Sequence, residues 1–201
     1  MTLSFRDFTM ASSPQPTALD SSGARDPLTG VLTRRGLDAV AAGLNLPVAA
    51  SGGSRSAATA VPGAYAVIVI DLDHFSKVND QFGFESGDKV LQALAALMKS
   101  VLRHQDSVTR LGGEKFCVLL PGASTANASR VAERIRAEFN ATPVVLNGAT
   151  TALSLSAGVA DSGSDAGGVL ERVLEHANDA LLRAKAAGRN RVLAHAPRDG
   201  R

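Results

Sequence analysis

Tryptophan is absent from these 201 residues, and tyrosine and cysteine occur once each. With so few large aromatics the chain cannot present an aromatic-rich binding surface. The single cysteine, Cys117, excludes an internal disulfide and suits a reducing cytoplasm. Charge of one sign is also lacking. Lys and Arg number 21 against 19 Asp and Glu, a net charge of +2, which argues against non-specific binding to nucleic acid. No apolar run approaches the roughly 18–20 residues of a membrane span. The N-terminus does not follow the basic-then-apolar pattern of a secretion signal. These absences describe a soluble, cytoplasmic protein, long enough for one domain with a sizeable core.

What is present centres on Val108–Pro121, where two apolar runs flank Gly112-Gly113. A Gly-Gly pair between such runs predicts a tight hairpin with positive φ at its tip. The run from Phe116 to Leu120 is continuously apolar, as a strand covered on both faces would be. The tip lacks Cβ atoms, so a ligand can approach its backbone, and it is followed at once by Glu114 and Lys115. Upstream, Tyr65–Ile70 predicts a buried strand ending in Asp71-Leu72-Asp73. Carboxylates there, facing a tip that carries Glu114, would suit Mg²⁺, which takes one or two carboxylates and leaves room for substrate phosphate. The competing reading is that Asp71 and Asp73 cap the next helix.

Taken in order, residues 1–25 are rich in Ser, Pro, Thr and Ala and predict a flexible tail. Asp26-Pro27 has the form of a helix start, followed by a short helix to about Gly43. Pro47–Gly63 predicts a surface loop, and Phe75–Phe82 a short helix ended by Gly83. Asp88 to about Arg103 carries the strongest amphipathic stripe, with Val90, Leu91, Leu94, Leu97, Met98 and Val101. A second amphipathic helix opens at Thr125 or Asn127 and runs to about Phe139. Thr150–Val159 alternates as a strand, and Gly163–Gly168 is a loop. Leu170–Ala187 is a third long helix stopped by Gly188, and Arg191–Ala194 a last short strand. The fold class is α/β (α+β), with a ferredoxin-like βαββαβ core and a mostly antiparallel sheet flanked by helices.

From about Asp26 to Leu193 the chain resembles a GGDEF domain, the domain of bacterial diguanylate cyclases. The resemblance lies in Asp26-Pro-Leu-Thr-Gly30 with Arg34-Arg35, in Asp71-Leu-Asp-His-Phe75 with Asn79-Asp80 and Gly87-Asp88, and in Arg110-Leu-Gly-Gly-Glu-Lys-Phe116. Ala132-Glu-Arg-Ile-Arg136, Ser156-Ala-Gly-Val159 and Ala184-Lys-Ala-Ala-Gly-Arg-Asn190 continue it in register. It implies a GGDEF domain over residues 26–195 with tails at 1–25 and 196–201. In that family two domains, each holding one GTP, face each other. The 3′-hydroxyl of one GTP attacks the α-phosphate of the other, giving cyclic di-GMP and pyrophosphate. By position, Asp71, the Leu72 carbonyl and Glu114 would bind Mg²⁺ or Mn²⁺. Asn79 and Asp88 would bind the guanine, and Lys185 and Arg189 the phosphates.

The departures from the family pattern bear on activity. Glu114 keeps its place, but the next position of the signature, a catalytic Glu in active members, is Lys115. Two unit charges 4 Å apart interact by roughly 4 kcal/mol at an effective dielectric of 20, and a divalent ion doubles that. Protonated lysine also has no lone pair to offer. The phosphate-binding Lys after Phe75 is Ser76, with a lysine displaced to Lys77, which a helix turns by about 100°. The His usual after Gly83 is Phe84. Together these changes imply an impaired cyclase. A sharper alternative has Lys115 replacing a metal charge and meeting a nucleotide phosphate directly.

A second site survives these changes. Arg103-His-Gln-Asp106 precedes the hairpin, with Asp106 six residues before Gly112. This matches the R-x-x-D site at which the family binds cyclic di-GMP, and Arg134 falls where its second arginine sits. Arginine forks guanine O6/N7 or phosphate, while Asp accepts from the N1–H/N2–H₂ edge. The plainer alternative is an Arg–Asp pair at a helix end, worth a few tenths of a kcal/mol. Three functions follow: a degenerate GGDEF domain acting as cyclic di-GMP receptor or regulator, an active or weakly active cyclase, and a non-catalytic GTP-binding domain. A homodimer or a partner protein is open under each.

Overall fold

The computed structural model describes residues 23–46, 63–164 and 168–196. Strand β1 (Tyr65–Leu72) is buried along its whole length. Such a strand needs neighbours on both edges and cover on both faces. Between it and the Gly-Gly tip run β2 (Ser107–Gly112) and β3 (Lys115–Pro121), joined as the expected hairpin, with φ of 143° at Gly112 and 53° at Gly113. A small hairpin of β4 (Val144–Leu146) and β5 (Ala149–Thr151) precedes β6 (Leu155–Asp161), and β7 (Val192–Ala194) comes last. The five-stranded sheet has the order β2-β3-β1-β6-β7, antiparallel except for β6 with β7. This is the ferredoxin-like plan that the sequence implies, with one strand added at the end.

Among the described residues five α-helices accompany the sheet: α1 (Arg34–Gly43), α2 (Phe75–Phe82), α3 (Phe84–Val101), α4 (Thr125–Ala141) and α5 (Leu170–Ala186). Alternation along β1 sorts them. Ala66, Ile68, Ile70 and Leu72 face one core with Leu94, Met98 and Ile135 of α3 and α4. Tyr65, Val67 and Val69 face a second core with Leu37 of α1 and Val173, Ala177 and Leu181 of α5. Helix α5 lies so close to β6 that a Cβ on Gly158 would collide with the α5 backbone at Ala177 and Leu181. Small side chains on the helix and none on the strand permit this approach.

Several boundaries differ from the sequence reading. Asp26-Pro27 opens a turn, not a helix: the Asp26 carboxylate accepts from Thr29 N and Oγ1 at 2.9 and 2.6 Å, and Gly30 N donates to Asp26 O. The side chain that seemed suited to a cap closes an Asx-type turn instead, and α1 is capped by Thr33. Arg25 bridges Leu32, so order begins ahead of residue 26 among the described residues. Leu32 in turn lies along the outer edge of β2, with Leu32 N donating to Val108 O and Arg110 N to Leu32 O. Helix α3 starts at Phe84, not Asp88, with Gly87 accommodated in its first turn. Thr150–Val159 is not one strand: Thr150 and Thr151 pair back to Val145 and Val144 through Asn147-Gly148, and β6 begins only at Leu155. The loop expected at Pro47–Gly63 and both tails lie almost wholly outside the described residues. No described helix is long and apolar enough to cross a membrane.

Candidate active site

The sheet register brings the first carboxylate to the hairpin. Asp71 sits at the end of β1 opposite Lys115 on one side and Ser156 on the other. It is 6% exposed, and Lys185, in the last turn of α5, donates Nζ to its Oδ1 at 2.5 Å. Burial pushes the Asp71 carboxyl above its ordinary value of 3.8, with Lys185 and Lys115 pulling it down and Glu114 adding to the rise. Lys115 reaches α5, where its Nζ donates to Asn178 Oδ1 at 3.0 Å. Behind it a cleft of about 330 Å³ is lined by Arg34, Leu111, Lys115, Glu171, Leu174 and Asn178, among others.

Asp71 and Glu114 bring two negative charges, and Lys115 and Lys185 bring two positive ones, so the four formal charges cancel. With Glu at position 115 the same four groups would total −2. Of the expected metal donors, Asp71 and Glu114 lie near enough for the Glu114 charge to act on the Asp71 carboxyl. No group of three or more His, Cys, Asp or Glu side chains suited to a metal occurs among the described residues. Two carboxylates faced by two ammonium groups do not fit a two-ion centre.

Neither Asp71 nor Asp73 caps the next helix, contrary to the plainer sequence reading. His74 precedes α2 in a left-handed conformation, φ 56°, with no side-chain cap. Asp73 is buried and accepts from Ser154 Oγ and Ser156 Oγ, both at 2.7 Å, and from Asn190 N at 3.0 Å. Sequence reasoning assigned this residue no partner; the polar alternation of Ser154 and Ser156 was its only trace. Asn79 is on α2 and Asp88 on α3, where Asp88 is exposed. Asn79 Oδ1 is buried without a hydrogen-bond partner, and a Cβ on Gly87 would strike it. Arg189 lies just beyond α5, exposed, with φ 61°. Ser76, Lys77 and Phe84 are all exposed, Phe84 by 80%.

Arg103 and Asp106 form a turn, not a side-chain ion pair. The Asp106 carboxylate accepts from the Arg103 backbone N–H at 2.9 Å, and Asp106 N donates to Arg103 O. The exposed Arg103 guanidinium makes no hydrogen bond among the described residues. Arg134, on α4, is held by Glu138 one turn along at 3.0 Å and makes no hydrogen bond to Arg103 or Asp106. Sequence reasoning also missed what Arg110 does. It pairs with both oxygens of Asp26 at 3.2 and 3.3 Å and donates Nε to Gly113 O at 2.9 Å, fastening the Gly-Gly tip to the first turn.

The family profile described as "Diguanylate cyclase, GGDEF domain" matches residues 24–191. Diguanylate cyclase DgcP of Pseudomonas aeruginosa is 44% identical over 125 residues, 62% of this chain and 18% of that protein. Bacillus subtilis YhcK is 38% identical over 170 residues, 83% of this chain and 44% of its own. This chain therefore spans less than half of either relative. Among solved structures, diguanylate cyclase SiaD of P. aeruginosa, in complex with its activator SiaC, superposes with a TM-score of 0.74 at 32% identity, covering 88% of this chain and 64% of that one. The coiled coil and GGDEF domain of Caulobacter crescentus DgcB, in complex with c-di-GMP, gives 0.70 at 26% identity, covering 85% of each chain.

Proposed function

The chain belongs to the diguanylate cyclase family as a GGDEF domain, and from that premise we propose that it is a catalytically impaired member that binds cyclic di-GMP as receptor or regulator. The observation that carries this reading is the charge balance around Asp71. A centre whose two carboxylates are matched by Lys115 and Lys185 attracts divalent cations weakly, and without the metal it lacks the Lewis acid that the transfer step needs. Mg²⁺ or Mn²⁺, when bound, would polarise phosphate oxygens there, and Asp71, Glu114 and the Leu72 carbonyl would hold it. The cyclic dinucleotide would meet Arg103, Asp106 and Arg134. Arg103 supports this with a guanidinium free of internal bonds, and Asp106 with an oxygen its turn leaves unused. Arg134 would have to leave Glu138, an exposed helical pair worth about 0.3–0.5 kcal/mol.

Calorimetric titration with cyclic di-GMP tests the proposal. Micromolar or tighter binding that Arg103→Ala abolishes is the expected result, and no binding by the unaltered chain overturns it. Turnover of GTP with Mg²⁺ is expected to be absent or slight. If only the missing anion silences the site, Lys115→Glu raises it.

One observation favours a second reading, retention of a GTP without turnover. Asn79 Oδ1 is a buried acceptor with nothing to accept from, packed against Gly87, whose chain neighbour Asp88 is exposed. A guanine edge would supply the donors. Lys185 and Arg189 would then take the phosphates.

A further inference from the structure

Arg189 and Asn190 are consecutive non-glycine residues with positive φ, 61° and 45°. Asparagine tolerates that conformation and arginine has no such preference, so the surroundings must impose the turn. They do so from four places in the fold. Asn190 N donates to Asp73 Oδ2 at 3.0 Å, and Asp73 is itself fixed by the Ser154 and Ser156 hydroxyls. From α4, Arg136 donates NH1 to Asn190 Oδ1 at 2.7 Å while its other nitrogens fork Glu133. From the end of α5, Ala184 O accepts from Arg189 N at 3.1 Å, and Ala157 N of β6 donates to Arg191 O at 2.9 Å. The backbone of the turn is thus tied at Arg189 N, Asn190 N and Arg191 O. The Arg189 guanidinium makes no hydrogen bond among the described residues, four positions past the Lys185 whose ammonium rests on Asp71.

We infer that Asn190, clamped between Asp73 and Arg136, is a positioning residue that presents the Arg189 guanidinium to the phosphates of a bound nucleotide. The inference rests on the second reading above, in which a GTP occupies this half of the domain. Asn190 touches no substrate; it fixes the backbone from which Arg189 projects. Buried Asp73, two residues past Asp71, therefore serves the phosphate side of the site without being a metal donor.

Titration of the intact chain with GTP and, separately, with guanosine tests it. Asn190→Ala keeps the N–H but loses the acceptor for Arg136 and strains the left-handed backbone. It is expected to weaken GTP about tenfold, the usual effect of losing one charge-assisted bond, and to leave guanosine unchanged. Asn190→Gly keeps the N–H and accepts positive φ, and recovers most of the loss. In an Arg189→Ala background Asn190→Ala costs nothing further, because the two act as one unit. Equal weakening of GTP and guanosine, additive losses, or no loss at all would each overturn the positioning role. If the unaltered chain binds no GTP, the nucleotide reading itself fails and takes this inference with it.

Discussion

Arg110 precedes the Gly-Gly tip, and in sequence it is only a letter of a motif. In the fold it closes the site's flank, one guanidinium joining Asp26, the Gly113 carbonyl and hence the first turn to the hairpin. Burial raises the Asp26 carboxyl, but the Thr29 hydrogen bonds and Arg110 outweigh it and hold the group below its ordinary value of 3.8. A carboxylate with a folded pKa below its unfolded one stabilises the fold above the unfolded value, and that support is lost as pH falls through the folded one. Arg110→Ala is therefore expected to cost about 1–2 kcal/mol at neutral pH in chemical denaturation. The deficit relative to the unaltered chain is expected to shrink as pH falls below about 4, where Asp26 of the unfolded chain takes up its proton, and onward through the lower folded value. Cys117 supplies a second test. Burial pushes its thiol up to about 12, so alkylation at pH 8 is expected to wait for unfolding and to report its rate.

At the scale of elements, α5 packs on β6 with no room for a side chain at Gly158. Gly158→Ala puts a methyl into the α5 backbone and is expected to cost about 1–3 kcal/mol or more, read as a lower denaturation midpoint with an unchanged slope. The same scale shows what the sequence made legible. The long helices and β1 were plain because apolar period and burial agree there, and the Gly-Gly hairpin was plain because only glycine takes φ of 143° readily. The β4–β5 hairpin was missed although Asn147-Gly148 is a strong turn signal. Thr150 and Thr151 continue the alternation of β6, and alternation alone does not say with which strand a residue pairs. The site divides likewise. Asp71, Glu114, Lys115 and Lys185 were nameable by position, and Asp71, Lys115 and Lys185 do converge. Asp73 was legible as a metal or capping carboxylate and Arg136 only as part of a motif; their actual role was hidden, since their shared partner Asn190 lies at the far end of the chain and spacing carries no such information.

For the whole molecule, two cores share one sheet, so a ligand bound at the proposed Arg103 site is expected to stabilise the domain as a unit. Saturating cyclic di-GMP at 100 times its Kd is expected to add about 2.7 kcal/mol to stability. That gain would appear as a rise in melting temperature which Arg103→Ala removes. GTP adding a further rise would mean that the two sites fill independently.

Leu32, laid along β2, has one more consequence. An open sheet margin invites another chain to extend it. On this side the backbone groups of Val108 and Arg110 are already spent on Leu32, and on the other the margin is a strand of three residues. Growth of the sheet from one molecule into the next is fenced off at one side and given little purchase at the other. Two copies brought together are therefore expected to gain little by extending this sheet, and more by contact between side chains.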